Sequence, residues 1–234
     1  GVAVVDINPG SGKTALSEIE KEFGSGRAIF IKADVTVFQE FEDAFKKTIE
    51  HFKNIDILIN NAGIFNDAKY ELMVAVNLNS VINGMILGLD KYLPKFKHNS
   101  EAVIVNISSI ASIQGIPSIP VYSATKSAIL GLTRAWGQPS HYERTNVRVV
   151  SIHPGFTQTP LIENLNGRFL GKPYETISTS EKWPIQNPDH VAKELVKVIK
   201  YAPNGTAWVV EGGERGYEYS LPDRATIERK YIPE

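Results

Sequence analysis

The chain has 234 residues, of which 42% are hydrophobic and 22% are charged, a composition typical of one globular domain with a substantial core. Its 25 lysine and arginine residues balance 26 acidic residues without a dense basic block, so we expect neither nucleic acid nor a membrane as a partner. With no cysteine, and with five histidines that lack metal-binding spacing, we expect no disulfide and no metal site.

No run of about 20 apolar residues and no basic leader segment is recognisable, which favours a soluble, cytoplasmic protein.

Short β-branched segments alternate along the chain with longer amphipathic segments. We predict strands at residues 2–7, 28–35, 56–60, 102–108, 147–152 and 207–210. Helices follow the first four strands, the third of them running to about residue 96, and a later helix begins at Asn187-Pro188-Asp189, a capping residue with proline in the first turn.

This alternation predicts an α/β fold, a doubly wound parallel sheet with helices on both faces. We see neither repeats nor a linker, so residues 1–234 form a single predicted domain. Ligands of such sheets bind beyond the carboxyl ends of the strands. Polar or glycine residues mark five predicted strand ends: Asp6, Asp34-Val35, Asn60-Asn61-Ala62-Gly63, Ser108-Ser109 and Pro154-Gly155.

Residues 7–14, INPGSGKT, superficially resemble a phosphate-binding P-loop between a strand and a helix. The P-loop pattern requires glycine where this chain has Ile7, and Asp6 would repel phosphate. A turn with an exposed Lys13 is the better interpretation. Asp6 suits another role, because an acidic residue at a strand end can bind the adenosine ribose of a dinucleotide and disfavour the extra phosphate of NADP. That role implies NAD.

Tyr122 and Lys126 lie four residues apart in the segment VYSATKSA, so a helix places them on one face. A lysine ammonium about 5 Å from a phenol, at an effective dielectric of about 20, stabilises the phenolate by about 3 kcal/mol, or about two pKa units. The pair therefore predicts a general acid/base that exchanges a proton with an alcohol. Taken alone, the same spacing also occurs on ordinary solvated helices.

Together, Asp6, Asp34-Val35, the N-N-A-G of 60–63, Asn77, Ser109, Y-S-A-T-K and Pro154-Gly155 resemble, in order and spacing, the short-chain dehydrogenase/reductase family. Within it the chain is most similar to NAD-dependent 15-hydroxyprostaglandin dehydrogenases and insect-type alcohol dehydrogenases. The resemblance covers essentially the whole chain and implies a Rossmann-like fold and a homodimer.

The resemblance also implies the roles of individual residues. Tyr122 would be the general acid/base, Lys126 would bind the nicotinamide ribose, Ser109 would hold the substrate oxygen, and Asn77 would anchor a proton-conducting water chain. The implied cofactor contacts are Asp6, Ile7, Asp34, Val35, Asn61, Ala62, Gly63, Tyr122, Lys126, Pro154, Gly155, Phe156, Thr157 and Thr159.

Residues 157–187 predict a substrate lid, since a long segment of this kind within a compact domain is often functional. Apolar residues in and near it suggest an apolar substrate pocket: Ile113, Ile119, Leu161, Leu165, Phe169 and Trp183. They could equally be ordinary lid packing. Prostaglandin enzymes of the family carry a substrate-binding glutamine where this chain has Ile119, so we expect an aliphatic, terpenoid or other lipid-like secondary alcohol.

Family members begin with a strand and a glycine-rich turn that cradles the cofactor pyrophosphate, whereas this sequence starts on the next strand. The first strand of the family, its glycine-rich turn and the helix after it would account for about 30 residues before Gly1. That first strand is central in the sheet, so without it two strand edges would remain unpaired. We therefore expect the protein to be longer than the sequence. The alternative to an enzyme is a non-catalytic relative that keeps the fold for binding or storage.

Overall fold

The computed structural model describes residues 1–222 and 225–228. Its strands are β1 (Val2–Asp6), β2 (Ala28–Lys32), β3 (Ile57–Asn60), β4 (Ala102–Ile107), β5 (Val147–Pro154), β6 (Ala207–Val210) and β7 (Tyr217–Glu218). Its helices are α1 (Pro9–Phe23), α2 (Phe38–Phe52), α3 (Asp67–Phe96), α4 (Pro120–Trp136), α5 (Pro139–Thr145), α6 (Lys172–Ser180) and α7 (Pro188–Tyr201). Short 3-10 turns lie at Ile110–Ser112 and Pro160–Ile162.

The strands form two sheets in the described part of the chain. β1 pairs in parallel with β2, from Val2 opposite Ala28 to Asp6 opposite Lys32. The second sheet has the order β3-β4-β5-β6-β7 and is parallel except for the antiparallel β6-β7 pair. The predicted α/β architecture is confirmed. No ladder joins β1 to β3 among the described residues, so each of these strands keeps one unpaired edge, as the sequence predicted.

Helices cover both faces of the larger sheet, and β4 shows why its sequence is apolar at every position. Ile104 belongs to a core cluster with Ile129 of α4. Its neighbours Val103 and Val105 belong to a second cluster, which contains Val198 of α7. Successive side chains of a strand point to opposite faces, so a strand covered on both sides needs a continuous apolar run.

Helix α3 is irregular along its length. It begins with a 3-10 turn at Asp67–Lys69 and contains two π-helical segments, Ala75–Asn79 and Ile86–Tyr92. Single π-helical insertions are frequent at functional sites because they re-aim the side chains of one turn. The first of these segments carries Asn77.

By length and composition alone, α3 could span a membrane, since it has 30 residues and its most apolar 18-residue stretch has a mean hydropathy of 1.7. The sequence interpretation missed this apolar run. Half of this apolar stretch is buried inside the fold. Leu87, Leu89 and Leu93 have no exposed surface. We therefore assign α3 as a core helix of the domain.

The predicted start of α7 is confirmed, because the Asn187 side chain accepts a hydrogen bond of 2.8 Å from the backbone N–H of Asp189. The sequence interpretation did not predict β7 or the short helices α5 and α6. β7 has only two residues and both are exposed, so it carries no hydrophobic periodicity that a pattern could detect.

Candidate active site

Helix α4 carries the predicted tyrosine and lysine. It begins at Pro120, whose fixed φ suits the first helical turn. Tyr122 and Lys126 are both buried, and the lysine Nζ lies 5.7 Å from the centroid of the tyrosine ring. Nζ also donates a hydrogen bond of 3.0 Å to the carbonyl oxygen of Ile107, the last residue of β4. The pair therefore lies at the carboxyl edge of the sheet.

Ser109 stands directly beyond β4 and begins the turn Ile110–Ser112. Its Oγ accepts a hydrogen bond of 3.2 Å from the backbone N–H of Ala111. The same side chain forms a hydrogen bond with Tyr122 that lowers the pKa of the phenol. The two hydroxyl groups thus meet at one point, where both can hydrogen-bond a substrate oxygen.

Burial dominates the ionisation of the pair. It raises the pKa of Tyr122 to about 12, against the weaker effect of the Ser109 hydrogen bond. Burial also lowers the pKa of Lys126 to about 8. The sequence predicted a lowered pKa for Tyr122, and the structure shows the opposite direction. Desolvation penalises the buried phenolate and the buried ammonium alike, and the lysine directs its Nζ to the Ile107 carbonyl.

Asn77 fixes the loop that follows β3. Its Oδ1 accepts a hydrogen bond of 2.8 Å from the N–H of Ile64, and its Nδ2 donates one of 2.9 Å to the carbonyl oxygen of the same residue. A longer contact of 3.4 Å joins Nδ2 to Thr125 Oγ1. Asn77 thereby connects the N-N-A-G loop to α4, and its role with water stays a prediction.

Asp67 is a site residue that the sequence interpretation missed. Its two carboxylate oxygens accept hydrogen bonds from the N–H groups of Val121 and Tyr122, at 2.9 and 3.0 Å. Helix α4 has no side-chain cap of its own, since Ile119 stands at its N-cap position. Asp67 performs the capping function from another element. No local pattern could reveal a contact that spans 54 residues.

A cavity of about 970 Å³ opens beyond the carboxyl ends of β4 and β5. Ser109, Tyr122 and Lys126 lie on its wall. The wall also includes these predicted cofactor residues: Asn61, Gly63, Pro154, Gly155, Phe156, Thr157 and Thr159. The predicted substrate residues on the wall are Ile119, Leu161, Leu165, Phe169 and Trp183.

Other predicted residues lie away from this wall: Asn77, Asp6, Ile7, Asp34, Val35, Ala62 and Ile113. Asp6 and Ile7 stand at the end of β1, and Asp34 and Val35 stand beyond β2. The structure thus brings the predicted substrate residues and most of the predicted cofactor residues to one wall, whereas Asp6, Ile7, Asp34 and Val35 lie at the strand ends of the separate two-stranded sheet. Ile113 follows the 3-10 turn after β4 and is not among the residues that line this cavity, so its role in a substrate pocket stays a prediction.

The segment predicted as a lid contains more regular structure than expected. It includes the 3-10 turn Pro160–Ile162 and helix α6. A parallel bridge between Thr157 and Gln186 joins its two ends. Across the cavity, the Phe65 ring makes edge contacts with Phe169 of the lid at 5.7 Å and with Tyr122 at 5.6 Å. Phe65 therefore connects the lid to the predicted acid/base, and all three rings belong to one hydrophobic cluster.

The glycine-rich turn after β1 is a helix cap. Asp6 accepts a hydrogen bond of 2.7 Å from the N–H of Asn8, and Asn8 Oδ1 accepts one of 2.8 Å from the N–H of Gly10. A Cβ at Gly12 would collide with the Phe30 ring of β2, so this glycine serves helix-strand packing. These contacts oppose the P-loop alternative, because a side chain already occupies N–H groups that would bind phosphate.

The described residues contain no group of three metal-ligating side chains. Their fully buried histidine, His153, bonds instead to hydroxyl groups: Nδ1 lies 2.7 Å from Ser112 Oγ, and Nε2 lies 2.8 Å from Ser151 Oγ. The first of these hydrogen bonds connects β5 to the turn that follows Ser109.

The fold and this set of side chains define an α/β protein in which a buried tyrosine and lysine lie together at the carboxyl edge of a parallel sheet. The family model for short chain dehydrogenases matches residues 1–168, and the chain belongs to the short-chain dehydrogenase/reductase family.

Among curated relatives, the chain is 33% identical over 204 residues to 15-hydroxyprostaglandin dehydrogenase [NAD(+)] of Rattus norvegicus. The matched region covers 85% of this chain and 76% of that protein. It is 32% identical over 188 residues to alcohol dehydrogenase 2 of Ceratitis capitata, covering 80% and 72% of the two chains.

Solved structures share the fold. Levodione reductase superposes with a TM-score of 0.75 at 23% identity, covering 90% of this chain and 86% of that one. A 3-ketoacyl-(acyl-carrier-protein) reductase from Brucella melitensis, complexed with NADH, superposes with a TM-score of 0.73 at 24% identity and the same coverage.

Proposed function

We propose that the protein is an NAD-dependent alcohol dehydrogenase that transfers hydride between NAD and an apolar secondary alcohol or its ketone. One observation carries the proposal: Ser109, Tyr122 and Lys126 meet on the wall of a cavity that the apolar lid residues enclose. A solvated Y-x-x-x-K helix would expose both side chains, whereas here both are buried at the carboxyl edge of the sheet.

The residues fit a nicotinamide group beside Lys126. A Cβ at Gly63 would lie 3.6 Å from the Lys126 Nζ and 3.6 Å from the Asn77 Oδ1, so glycine keeps this part of the wall open. When bound, NAD would supply the hydride acceptor. Tyr122 would take the hydroxyl proton of the alcohol, and Ser109 would hold the same oxygen by a hydrogen bond. Lys126, whose Nζ donates to the Ile107 carbonyl, would bind the nicotinamide ribose.

Asp6 supports NAD over NADP as the cofactor. Its carboxylate ends β1 and accepts a hydrogen bond from Asn8, which holds a negative charge at the strand end where a ribose phosphate would be repelled. The printed names of the curated relatives include NAD(+). Solved neighbours include complexes with NADH and with NADPH, so the fold alone is compatible with either cofactor, and the charge of Asp6 is the feature that supports NAD.

The cavity wall favours an aliphatic, terpenoid or other lipid-like substrate. Its lid side is lined by Leu161, Leu165 and Phe169, and burying such surface contributes about 25 cal/mol per Å². Ile119 stands on the wall where the resemblance predicts glutamine in prostaglandin enzymes. Prostaglandin is therefore a weaker candidate than a less polar secondary alcohol. A homodimer, which the family resemblance implies, and a cytoplasmic location complete the proposal.

The exchange Tyr122→Phe tests the acid/base role. We expect it to lower the rate of NADH formation from a long-chain secondary alcohol by at least about 100-fold, the range of a lost general base. Tyr201→Phe is the matched control, since that side chain is 78% exposed and away from the cavity. Equal rates in the two variants would contradict the proposal.

A binding or storage protein is the competing interpretation. It predicts that the wild-type protein binds the same alcohols without forming NADH, and that Tyr122→Phe leaves binding unchanged. Calorimetric titration alongside the NADH assay separates these two interpretations.

A further inference from the structure

His153 lies near the carboxyl end of β5, and the proposed acid/base chemistry does not use it. Its imidazole has no exposed surface. The ring points to the face of the sheet that α4 covers, because Val149, on the same side of β5, belongs to the core cluster with Ile129 of α4. Buried polar groups are nearly always hydrogen-bonded, so the partners of the two ring nitrogens indicate what this histidine does.

The hydrogen bonds around the imidazole fit one arrangement of protons. Ser112 Oγ donates to the carbonyl oxygen of Ser109 at 2.6 Å and lies 2.7 Å from His153 Nδ1. A hydroxyl group has a single proton, so Nδ1 must carry its own and donate it to Ser112 Oγ. Nε2 is then an acceptor for the Ser151 hydroxyl at 2.8 Å. Burial lowers the pKa of the imidazole to about 4, which keeps the ring in this neutral form at neutral pH.

These hydrogen bonds converge on the backbone carbonyl of Ser109. Its oxygen accepts from the hydroxyl group of Ser112 at 2.6 Å and from the N–H of the same residue at 3.0 Å, and His153 Nδ1 lies 3.4 Å from it. The Ser109 side chain is held within the same turn, since its Oγ accepts from the N–H of Ala111 at 3.2 Å. The carbonyl group and the Cβ of Ser109 share one Cα, so fixing the carbonyl group limits where the hydroxyl group can lie.

We propose that His153 is a positioning residue, which acts through Ser112 to hold the Ser109 hydroxyl group where it meets Tyr122 and the substrate oxygen. Ser109 forms a hydrogen bond with Tyr122, so its displacement would disturb the contacts with the acid/base and with the substrate together. Neither His153 nor Ser112 is among the residues that line the cavity, so both act on the reaction only through the turn. This inference rests on the proposed function, to which it adds a residue behind the cavity wall.

Steady-state kinetics on two variants tests the connection. His153→Phe keeps an aromatic ring but removes both ring nitrogens, and Ser112→Ala removes the connecting hydroxyl group at a partly buried position. We expect each to lower kcat for a long-chain secondary alcohol by at least about tenfold, since small displacements of an active-site group are costly. KM for NAD should change by less than about threefold, and Ser112→Thr, which keeps the hydroxyl group, should recover most of kcat. A wild-type kcat in Ser112→Ala would overturn the proposal.

A double-mutant cycle with Ser109→Ala separates positioning from a general structural loss. Without the Ser109 hydroxyl group there is nothing left to position, so adding Ser112→Ala or His153→Phe should lower kcat further by less than about twofold. Losses that multiply would contradict the proposal. Ser127→Ala is the matched control, because its exposed hydroxyl group bonds to the same turn, at the Ser112 carbonyl, at 3.2 Å. It should keep the wild-type kcat, and a loss equal to that of Ser112→Ala would assign the effect to the turn in general and overturn the positioning role.

A measurement without turnover separates this inference from the proposed function. In protein labelled with carbon-13 at the tyrosine ζ-carbons, the Tyr122 resonance is the one absent from Tyr122→Phe, and its chemical shift reports on hydrogen bonds of the phenol. We expect Ser109→Ala to move this resonance, and Ser112→Ala and His153→Phe to move it in the same direction. An unmoved resonance in either of these two variants would overturn the positioning role. Moved resonances in a protein that forms no NADH would support it and count only against the proposed function.

Discussion

The carboxylate of Asp67 accepts a hydrogen bond of 3.0 Å from the backbone N–H of Tyr122, which lies 55 residues further along the chain. Asp67 has no exposed surface. Burial raises the pKa of its carboxyl group, and the hydrogen bonds from Val121 and Tyr122 oppose that change. The start of α3 thereby fixes the start of α4 and, through the backbone, the position of the Tyr122 phenol, the proposed acid/base.

Exchanging Asp67 for alanine should impair both folding and catalysis. Loss of a helix cap costs about 0.5–2 kcal/mol, and the N–H groups of Val121 and Tyr122 would lose their acceptors. We expect Asp67→Ala to lower kcat by about tenfold or more, since small displacements of a catalytic group are costly, with a smaller effect on KM. Urea denaturation and steady-state kinetics measure the two effects.

The variant Asp67→Asn keeps one carbonyl oxygen as an acceptor and should restore part of both losses. Glu71→Ala, an exposed acidic residue in the same helix, should behave as wild type. If Asp67→Ala loses stability but keeps the wild-type kcat, Asp67 is only a helix cap.

His153 should make the protein less stable in mild acid. Burial, the largest cause, lowers the pKa of its imidazole to about 4, whereas the unfolded chain has the ordinary value of about 6.5. Between these values the unfolded state binds more protons, so the free energy of unfolding falls as pH decreases from about 6.5 to about 4. The full loss is about 3 kcal/mol.

Urea denaturation of the wild type and of His153→Gln across this pH range isolates the contribution of the histidine. We expect the variant to be less stable at neutral pH but to lack this part of the acid dependence. Parallel curves for the two proteins would assign the dependence to other groups.

Replacing Asp6 by asparagine should weaken the discrimination against NADP. The amide retains an oxygen that accepts the N–H of Asn8 but has no negative charge to repel a ribose phosphate. Removing a like-charge repulsion at about 4 Å is worth several kcal/mol at an effective dielectric of about 20, so we expect the ratio of kcat/KM for NADP to that for NAD to rise at least about tenfold. Glu18→Gln, the same charge change on the exposed face of α1, should leave the ratio unchanged, and an unchanged ratio in Asp6→Asn would refute the assignment.

Arg148 should contribute to stability without affecting the site. From the first half of β5, its Nη1 donates to the Ala202 carbonyl at 2.6 Å and its Nη2 to the Ile199 carbonyl at 2.7 Å, while Nε bonds to Glu101 at 2.9 Å. The side chain thus pairs with the last carbonyl groups of α7. We expect Arg148→Met to lower the free energy of unfolding by about 2–4 kcal/mol, because the buried partners lose their donor. Urea denaturation measures the loss, and a change below about 0.5 kcal/mol would contradict this assignment.

The sequence alone determined the parts of the molecule that depend on local order. Strand and helix periodicity predicted the α/β sheet, and the Asn187-Pro188 pair predicted the start of α7. The spacing of Tyr122 and Lys126 was sufficient to place both side chains on one helix face, since that geometry is internal to the helix. Ser109 followed from its position at the end of a strand.

Only the tertiary structure decided what surrounds those residues. The cap from Asp67 to Tyr122 and the bond from Ser118 to Glu181 join segments 55 and 63 residues apart, and no periodicity encodes such contacts. The opposite direction of the Tyr122 pKa has the same origin, because desolvation depends on which atoms exclude water from the phenol. The spacing of residues predicts geometry within one helix or strand, whereas burial and long-range hydrogen bonds depend on how the whole chain packs.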